Sequence, residues 1–270
     1  MQAAEALALA DELTLLSDAA RAGGNLAMEF WRREPETWLK DGGSPVSEAD
    51  LAVDRLLRDR LISARPNYGW LSEEADEADQ DVASEDNQRM FVVDPIDGTR
   101  SFLAGQRIWG VSIALIQNCR PIVAALFCPA MELDYAAVLD GGATCNGNEL
   151  TTNGEAERPV MAGPRSWLKR MPAGYAERVE KAPYIPSLAY RIAMVAEGSL
   201  DGTYIRASAK DWDLAAADLI LREAGGSLLR SDGEPPLYGT QSRRHGLLVA
   251  GSAAQLPHML RMVRQTPEQD

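Results

Sequence analysis

A chain of 270 residues with 46% hydrophobic and 25% charged residues is long enough to bury a large core, in one compact domain or in two closely joined halves. Its formal net charge of −13 argues against nucleic acid or an anionic membrane surface as the main partner, since both would be repelled. Three unpatterned cysteines and two histidines, His245 and His258, offer no zinc or disulfide framework and make a histidine-based nucleophile improbable.

The N-terminus carries Glu5, Asp11 and Glu12 before its first basic residue, Arg21, so it lacks the positive start of a secretory signal. No uncharged apolar stretch reaches the ~18 residues needed to span a bilayer. A cytoplasmic protein is expected. Over residues 3–31, Leu9, Leu13, Leu16, Ala20, Ala27 and Phe30 recur at helical spacing, interrupted at Gly23-Gly24, which predicts a long helix packed on the body. Residues 34–44 read as a loop rich in Gly and charge. Ser47 then caps a second helix, with Asp50 three residues on in the manner of a capping box and Val53, Leu56, Leu57 and Leu61 behind it. On this reading Asp50 is ordinary helix-start chemistry. Residues 68–72 predict a short strand that delivers Glu73-Glu74, and residues 75–87 a solvated acidic loop to which Glu74 belongs.

In Phe91-Val92-Val93-Asp94-Pro95-Ile96-Asp97-Gly98-Thr99 an apolar strand ends in two carboxylates and a glycine turn. Val and Ile favour the pleat, Pro95 is expected to stop the ladder, Gly98 allows a sharp turn, and Thr99 can cap a short helix up to Gly105. Carboxylates held that close repel one another unless protons or a cation intervene, and an all-oxygen cluster without histidine suits a hard cation such as magnesium. The amides that open the next helix can hold an anion. The plain alternative is a strand-end cap and a loop turn. Two sharper motifs fail on spacing: a haloacid-dehalogenase-type nucleophile needs its aspartates two apart, and an EF-hand glycine falls five after the first aspartate, whereas Gly98 is four after Asp94.

Residues 109–117, 122–128 and 133–139 are β-rich runs between turn residues and predict an antiparallel meander. Residues 142–147 read as a turn closing a first half, 1–150, and residues 151–157 as a polar link to a second, 151–270. The second half alternates. It reads as a strand near Val160, a helix at 167–171, a helix at 187–197 ended by Gly198, and a strand at 203–205. A helix at 211–224 with Asp213 in its first turn, a strand at 247–250 and a helix at 254–264 complete it.

Asp94-Pro95-Ile96-Asp97-Gly98-Thr99 resembles, without a departure, the central motif of the inositol monophosphatase superfamily of lithium-sensitive, magnesium-dependent phosphatases. Trp70-Leu71-Ser72-Glu73-Glu74 and Asp211-Trp212-Asp213-Leu214-Ala215-Ala216-Ala217 resemble its flanking motifs in the same order and approximate spacing, so the resemblance covers roughly Lys40 to Gly251. It implies an α+β fold, the layered α/β/α/β/α sandwich, acting as one compact catalytic unit. It further implies that Glu73, Asp94 and the backbone carbonyl of Ile96 hold one Mg2+ while Asp94, Asp97 and Asp213 hold a second, that a third ion can join, and that Li+ inhibits. By the same resemblance Asp50 and Thr99 orient the attacking water, the amides of Gly98 and Thr99 hold phosphate oxygens, and Lys40 matches a lysine on the loop over the site.

Arg206 stands seven residues before Asp213, where inositol phosphatases carry a hydroxyl-binding glutamate, and an arginine suits a second phosphate better than a hydroxyl. With the segments 40–47 and 211–218, this makes a bacterial 3'(2'),5'-bisphosphate nucleotidase acting on 3'-phosphoadenosine 5'-phosphate the first expectation. Inositol-1-monophosphatase comes next, then histidinol-phosphate phosphatase, a branch that Trp109-Gly110 resembles. A regulatory binding protein of the same fold is the reading of a different class, which magnesium-dependent phosphate release would separate. The expected partner is a small phosphorylated substrate, without nucleic acid or a membrane span; a homodimer is compatible with the sequence.

Overall fold

Two helices, α1 (Gln2–Phe30) and α2 (Glu48–Ala64), carry the apolar stripes read from the sequence and bury Leu16, Ala20 and Ala27 with Val53, Leu57 and Leu61. The computed structural model describes residues 2–40, 43–76, 80–82, 89–169, 171 and 173–265. Part of the acidic segment read as a loop, and the residues after 265, lie outside that set. Gly23-Gly24 does not interrupt α1. A Cβ at Gly23 would lie 3.1 Å from Val53 and one at Gly24 only 2.5 Å from the Phe127 ring, so the pair marks where the helix presses closest on its neighbours.

Residues 34–44 are not all loop. Thr37–Leu39 (β1) pairs antiparallel with Pro45–Ser47 (β2), Trp38 opposite Val46. Every residue of β1 is exposed, so no buried alternation announced it.

The first sheet orders seven strands as β3-β4-β5-β6-β7-β8-β9. They are β3 (Gly69–Ser72), β4 (Arg89–Asp97), β5 (Gly110–Gln117), β6 (Arg120–Cys128), β7 (Leu133–Val138), β8 (Gly142–Cys145) and β9 (Asn148–Glu149). Only the β3–β4 pair is parallel. The predicted meander is present and continues one hairpin further. Asn146-Gly147, both at positive φ, forms the two-residue loop between β8 and β9, so residues 142–147 are more than a turn.

Pro95 does not stop β4. The strand runs to Asp97 because its register shifts by one residue between Asp94↔Ser112 and Asp97↔Gly110. That bulge takes a residue without an amide proton out of the ladder instead of ending it. Helix α3 (Thr99–Leu103) follows, capped by Gly98 at φ 95° and not by Thr99, which is its first residue.

The second sheet, ordered β11-β10-β12-β14-β13, joins β10 (Val160–Ala162), β11 (Glu180–Lys181), β12 (Gly202–Ile205), β13 (Gly226–Arg230) and β14 (Leu248–Ser252). Its helices are α4 (Arg165–Lys169), α5 (Ala173–Ala176), α6 (Leu188–Ala196), α7 (Asp211–Glu223) and α8 (Leu256–Gln265). β13 went unread because a five-residue strand directly after the helix-ending Gly225 carries little pattern of its own.

Five layers result. Phe91, Val93, Ile113 and Leu115 face α1 and α2; Met90, Val92, Ala114 and Ile116 face the other way, onto α6 and α7. Ile205, Leu228 and Leu248 bring the second sheet against the same two helices, and Met161, Tyr204 and Val249 on its far side meet α4 and α8. This is the α/β/α/β/α sandwich of an α+β protein. Because both faces of the first sheet are covered, β5 and β6 read as continuous apolar runs without alternation. No helix among the described residues is long and apolar enough to cross a membrane.

Candidate metal and phosphate site

The site lies where β3 and β4 leave the first sheet and α7 begins. Glu73 continues the parallel pairing, its amide donating to Val93 O at 3.1 Å, which sets it beside Asp94. In a regular strand residues three apart point to opposite faces. The bulge adds the missing step, so Asp97 joins Asp94 on the α6–α7 face. Asp213, third residue of α7, accepts from Lys210 N at 2.7 Å.

Glu73, Asp94 and Asp213 each offer an oxygen within 4.8 Å of the others. Asp97 stands outside that group. Its carboxylate accepts from Ser187 Oγ, Leu188 N at 3.1 Å and Ala189 N at 2.7 Å, the opening groups of α6. Asp94 Oδ1 accepts from Ile96 N at 3.1 Å.

Asp50 makes two kinds of contact. Oδ2 accepts from Ser47 N (2.8 Å) and Ser47 Oγ (2.6 Å), as in a capping box, while Oδ1 lies 3.1 Å from Thr99 Oγ1. The same hydroxyl is 3.1 Å from the Ile96 carbonyl. The amides of Gly98 and Thr99 stand at the start of α3. Lys40 follows β1 and reaches Glu73 Oε1 at 3.0 Å and Glu74 Oε1 at 2.6 Å. Glu74 is therefore no part of a solvated loop: its side chain is 4% exposed and ion-paired. Asp81, though exposed, accepts from Trp70 N at 2.8 Å.

Burial among so many carboxylates raises the protonation range of Asp50, Glu74, Asp94, Asp97 and Asp213. Burial, then the charge of Glu73, pushes Asp213 up to about 8 and Glu74 to about 7. Burial and the surrounding carboxylates hold Asp94 well above the usual range. Burial raises Asp97 and Asp50 as well, against the hydrogen bonds each accepts. For Lys40 burial works downward, but Glu73 and Glu74 outweigh it and its pKa is raised. Hard oxygen donors, buried or half-buried and mutually repelling, are the donor set that a magnesium ion satisfies.

Beside Asp213 opens a cavity of about 810 Å³ whose wall includes Arg206, Arg191, Arg165 and Tyr184. Arg206, singled out from sequence, is exposed at the end of β12. Arg191 was missed. It sits on α6 with Nε buried and without a hydrogen-bond partner among the described residues, and burial lowers its pKa. The signal available was one cation inside the apolar run Ala189-Tyr190-Arg191-Ile192-Ala193.

The sequence profile described as the inositol monophosphatase family matches residues 9–266. The chain belongs to that family. It is thus a phosphatase, a hydrolase of phosphate esters, in a family that depends on metal, typically Mg2+. It is 31% identical over 262 residues to an inositol-1-monophosphatase of Mesorhizobium japonicum, covering 93% of this chain and 95% of the relative. It is 26% identical over 231 residues to the 3'(2'),5'-bisphosphate nucleotidase CysQ of Haemophilus influenzae, covering 81% and 84%. Among solved structures, the extragenic suppressor protein suhB of Bartonella henselae superposes with a TM-score of 0.83 at 25% identity, over 95% of this chain and 99% of that one.

Proposed function

We propose that this phosphatase is a magnesium-dependent 3'(2'),5'-bisphosphate nucleotidase that removes the 3'-phosphate of 3'-phosphoadenosine 5'-phosphate. The observation that carries the reading is the cavity beside Asp213, where Arg206 and Arg191 present cations in a protein of net charge −13. A volume of about 810 Å³ is ample for a nucleotide. A planar guanidinium suits a phosphate better than a sugar hydroxyl.

Glu73, Asp94 and the Ile96 carbonyl would hold one magnesium ion, and Asp94, Asp97 and Asp213 a second, with a third ion left open and Li+ inhibiting. Bound there, magnesium supplies positive charge to the phosphate oxygens and lowers the pKa of water. Thr99 and Asp50 do the orienting: Asp50 Oδ1 and the Thr99 hydroxyl, 3.1 Å apart, can hold an attacking water between them. The amides of Gly98 and Thr99 take up phosphate oxygens. Lys40 offsets charge at Glu73 and Glu74. Residues 1–150 and 151–270 act as one catalytic unit, the first carrying Glu73, Asp94 and Asp97 and the second Asp213.

Hydrolysis of inositol monophosphate is the second reading, favoured by the higher identity to the inositol-1-monophosphatase, 31% against 26%. Phosphate release from the bisphosphate nucleotide, inositol 1-phosphate and histidinol phosphate, measured side by side with magnesium, decides between them. The nucleotide is expected to give the highest kcat/KM. Faster turnover of inositol phosphate would replace the first reading, and no release from any ester would leave a regulatory binding protein.

Two further outcomes follow from the site. Thr99→Ala should lower kcat by roughly 10²-fold, since it removes a group that orients the nucleophile. Calorimetric magnesium affinity should barely change, and a parallel loss would make Thr99 a metal-site residue instead.

The second outcome concerns pH. Carboxylates raised in the folded state bind more protons folded than unfolded, so their contribution to stability falls as pH rises from about 4 through about 8. The Tm of chelator-treated protein should thus decline over that window, and magnesium should raise Tm more at about pH 8 than at about pH 5. Equal gains at both would contradict the coupling.

A further inference from the structure

Glu73 and Asp213 belong to different parts of the fold. One sits on a turn after β3 of the first sheet and the other on α7, and they share neither ladder nor helix. Their carboxylates repel, yet they present oxygens within 4.8 Å. Residues 238–245 run between them.

At one end Tyr238 is fully buried, its amide donating to Cys119 O at 3.1 Å and its hydroxyl to Asp218 at 2.9 Å. The segment then binds the run that leads into Asp213. Gly239 N donates to Asp211 Oδ2 at 2.7 Å, and Asp211 N donates to Arg243 O at 3.2 Å. Lys210 and Arg244 form an antiparallel bridge. His245 N donates to Ala209 O at 2.9 Å, Ser208 N to His245 O at 2.8 Å, and His245 Nε2 lies 2.6 Å from Asp211 Oδ1.

At the other end Arg243 Nη1 donates to Gln80 Oε1. Gln80 Nε2 in turn donates to Ser72 O at 3.1 Å and Ala75 O at 2.6 Å, the carbonyls on either side of Glu73-Glu74. Arg243 Nε is buried without a hydrogen-bond partner among the described residues. A guanidinium that served only to fill space would be a costly choice there.

We infer that residues 238–245 form a strap that sets the separation of Glu73 and Asp213, with Arg243 and Gln80 as positioning residues for cation binding. The inference rests on Glu73 and Asp213 being ligands of one cation cluster. The strap gathers two repelling carboxylates before the ion arrives, so the ion need not provide that work. Neither Arg243 nor Gln80 is placed among the metal ligands.

The test is magnesium binding by calorimetry to the full chain, with Tm recorded alongside, for wild type, Gln80→Leu, Arg243→Leu and the double variant. Each single change should weaken magnesium binding by roughly 10- to 100-fold, as loss of a partner behind a ligand does. The double variant should be no weaker than the worse single one, because both changes break one connection. Gln80 is itself only half-buried, so Gln80→Leu reads the effect even if Arg243→Leu folds poorly. Unchanged affinity in Gln80→Leu, or additive losses in the double variant, would overturn the strap. If wild type binds no magnesium, the reading of the site fails first and takes the strap with it.

Discussion

Asp94→Asn is expected to reduce kcat by roughly 10³-fold or more at saturating magnesium while leaving the metal-free fold as stable as wild type or more so. Asp94 is the one side chain assigned to both ions, and no neighbour can replace a charge held at the centre of the cluster. Its burial among Glu73, Asp97 and Asp213 is unfavourable without metal, which is why its carboxyl holds its proton far above the usual range. An asparagine keeps an oxygen that can accept from Ile96 N and removes the repulsion. Magnesium should then raise the Tm of the variant little or not at all. Phosphate release together with Tm, each with and without magnesium, checks both halves, and near-normal turnover would dismiss the bridging role.

Arg206→Ala should lower kcat/KM for the bisphosphate nucleotide by about 10- to 150-fold, because a charge-assisted contact contributes ~1.5 to 3 kcal/mol. Inositol monophosphate has no second phosphate and should be affected far less. The contrast between the substrates carries the weight, not the size of either fall. A structural fault would lower both together, and a surface arginine without a role would change neither. Arg191 stands in the same wall and is the more buried cation, so it sets a reference. If Arg191→Ala alone discriminates between the substrates, the second phosphate is read from α6 and not from the end of β12.

What was legible in the sequence was whatever leaves a periodic or contiguous trace. The stripe of α1, the meander of β5, β6 and β7, and the run from Asp94 to Thr99 are local in the chain and were placed from it. What escaped depends on contacts across it. Glu74 looks like one more acid in an acidic segment until Lys40, 34 residues away, is seen to pair with it. Gly23-Gly24 reads as a break until Phe127 is found against it. Arg191 and Arg243 are single cations in unremarkable stretches, and their meaning comes from α6 facing a cavity and from Gln80 flanking Glu73. Asp97 shows the same limit in reverse: its neighbourhood in sequence marked it, but the start of α6, some 90 residues on, occupies its carboxylate.

The bulge in β4 makes the site a matter of parity. Asp94 and Asp97 are an odd number of positions apart along the chain, yet their partners Ser112 and Gly110 are an even number apart on β5. No point substitution between them alters that count, so side chains there can vary while both carboxylates keep facing α6 and α7. The same run of residues paired without the bulge would do the opposite. Three regular steps from Asp94, Asp97 would rotate into the apolar layer of Phe91 and Val93 against α1 and α2. The segment is therefore tolerant in composition but depends on one residue standing out of step, as a reading frame depends on its offset.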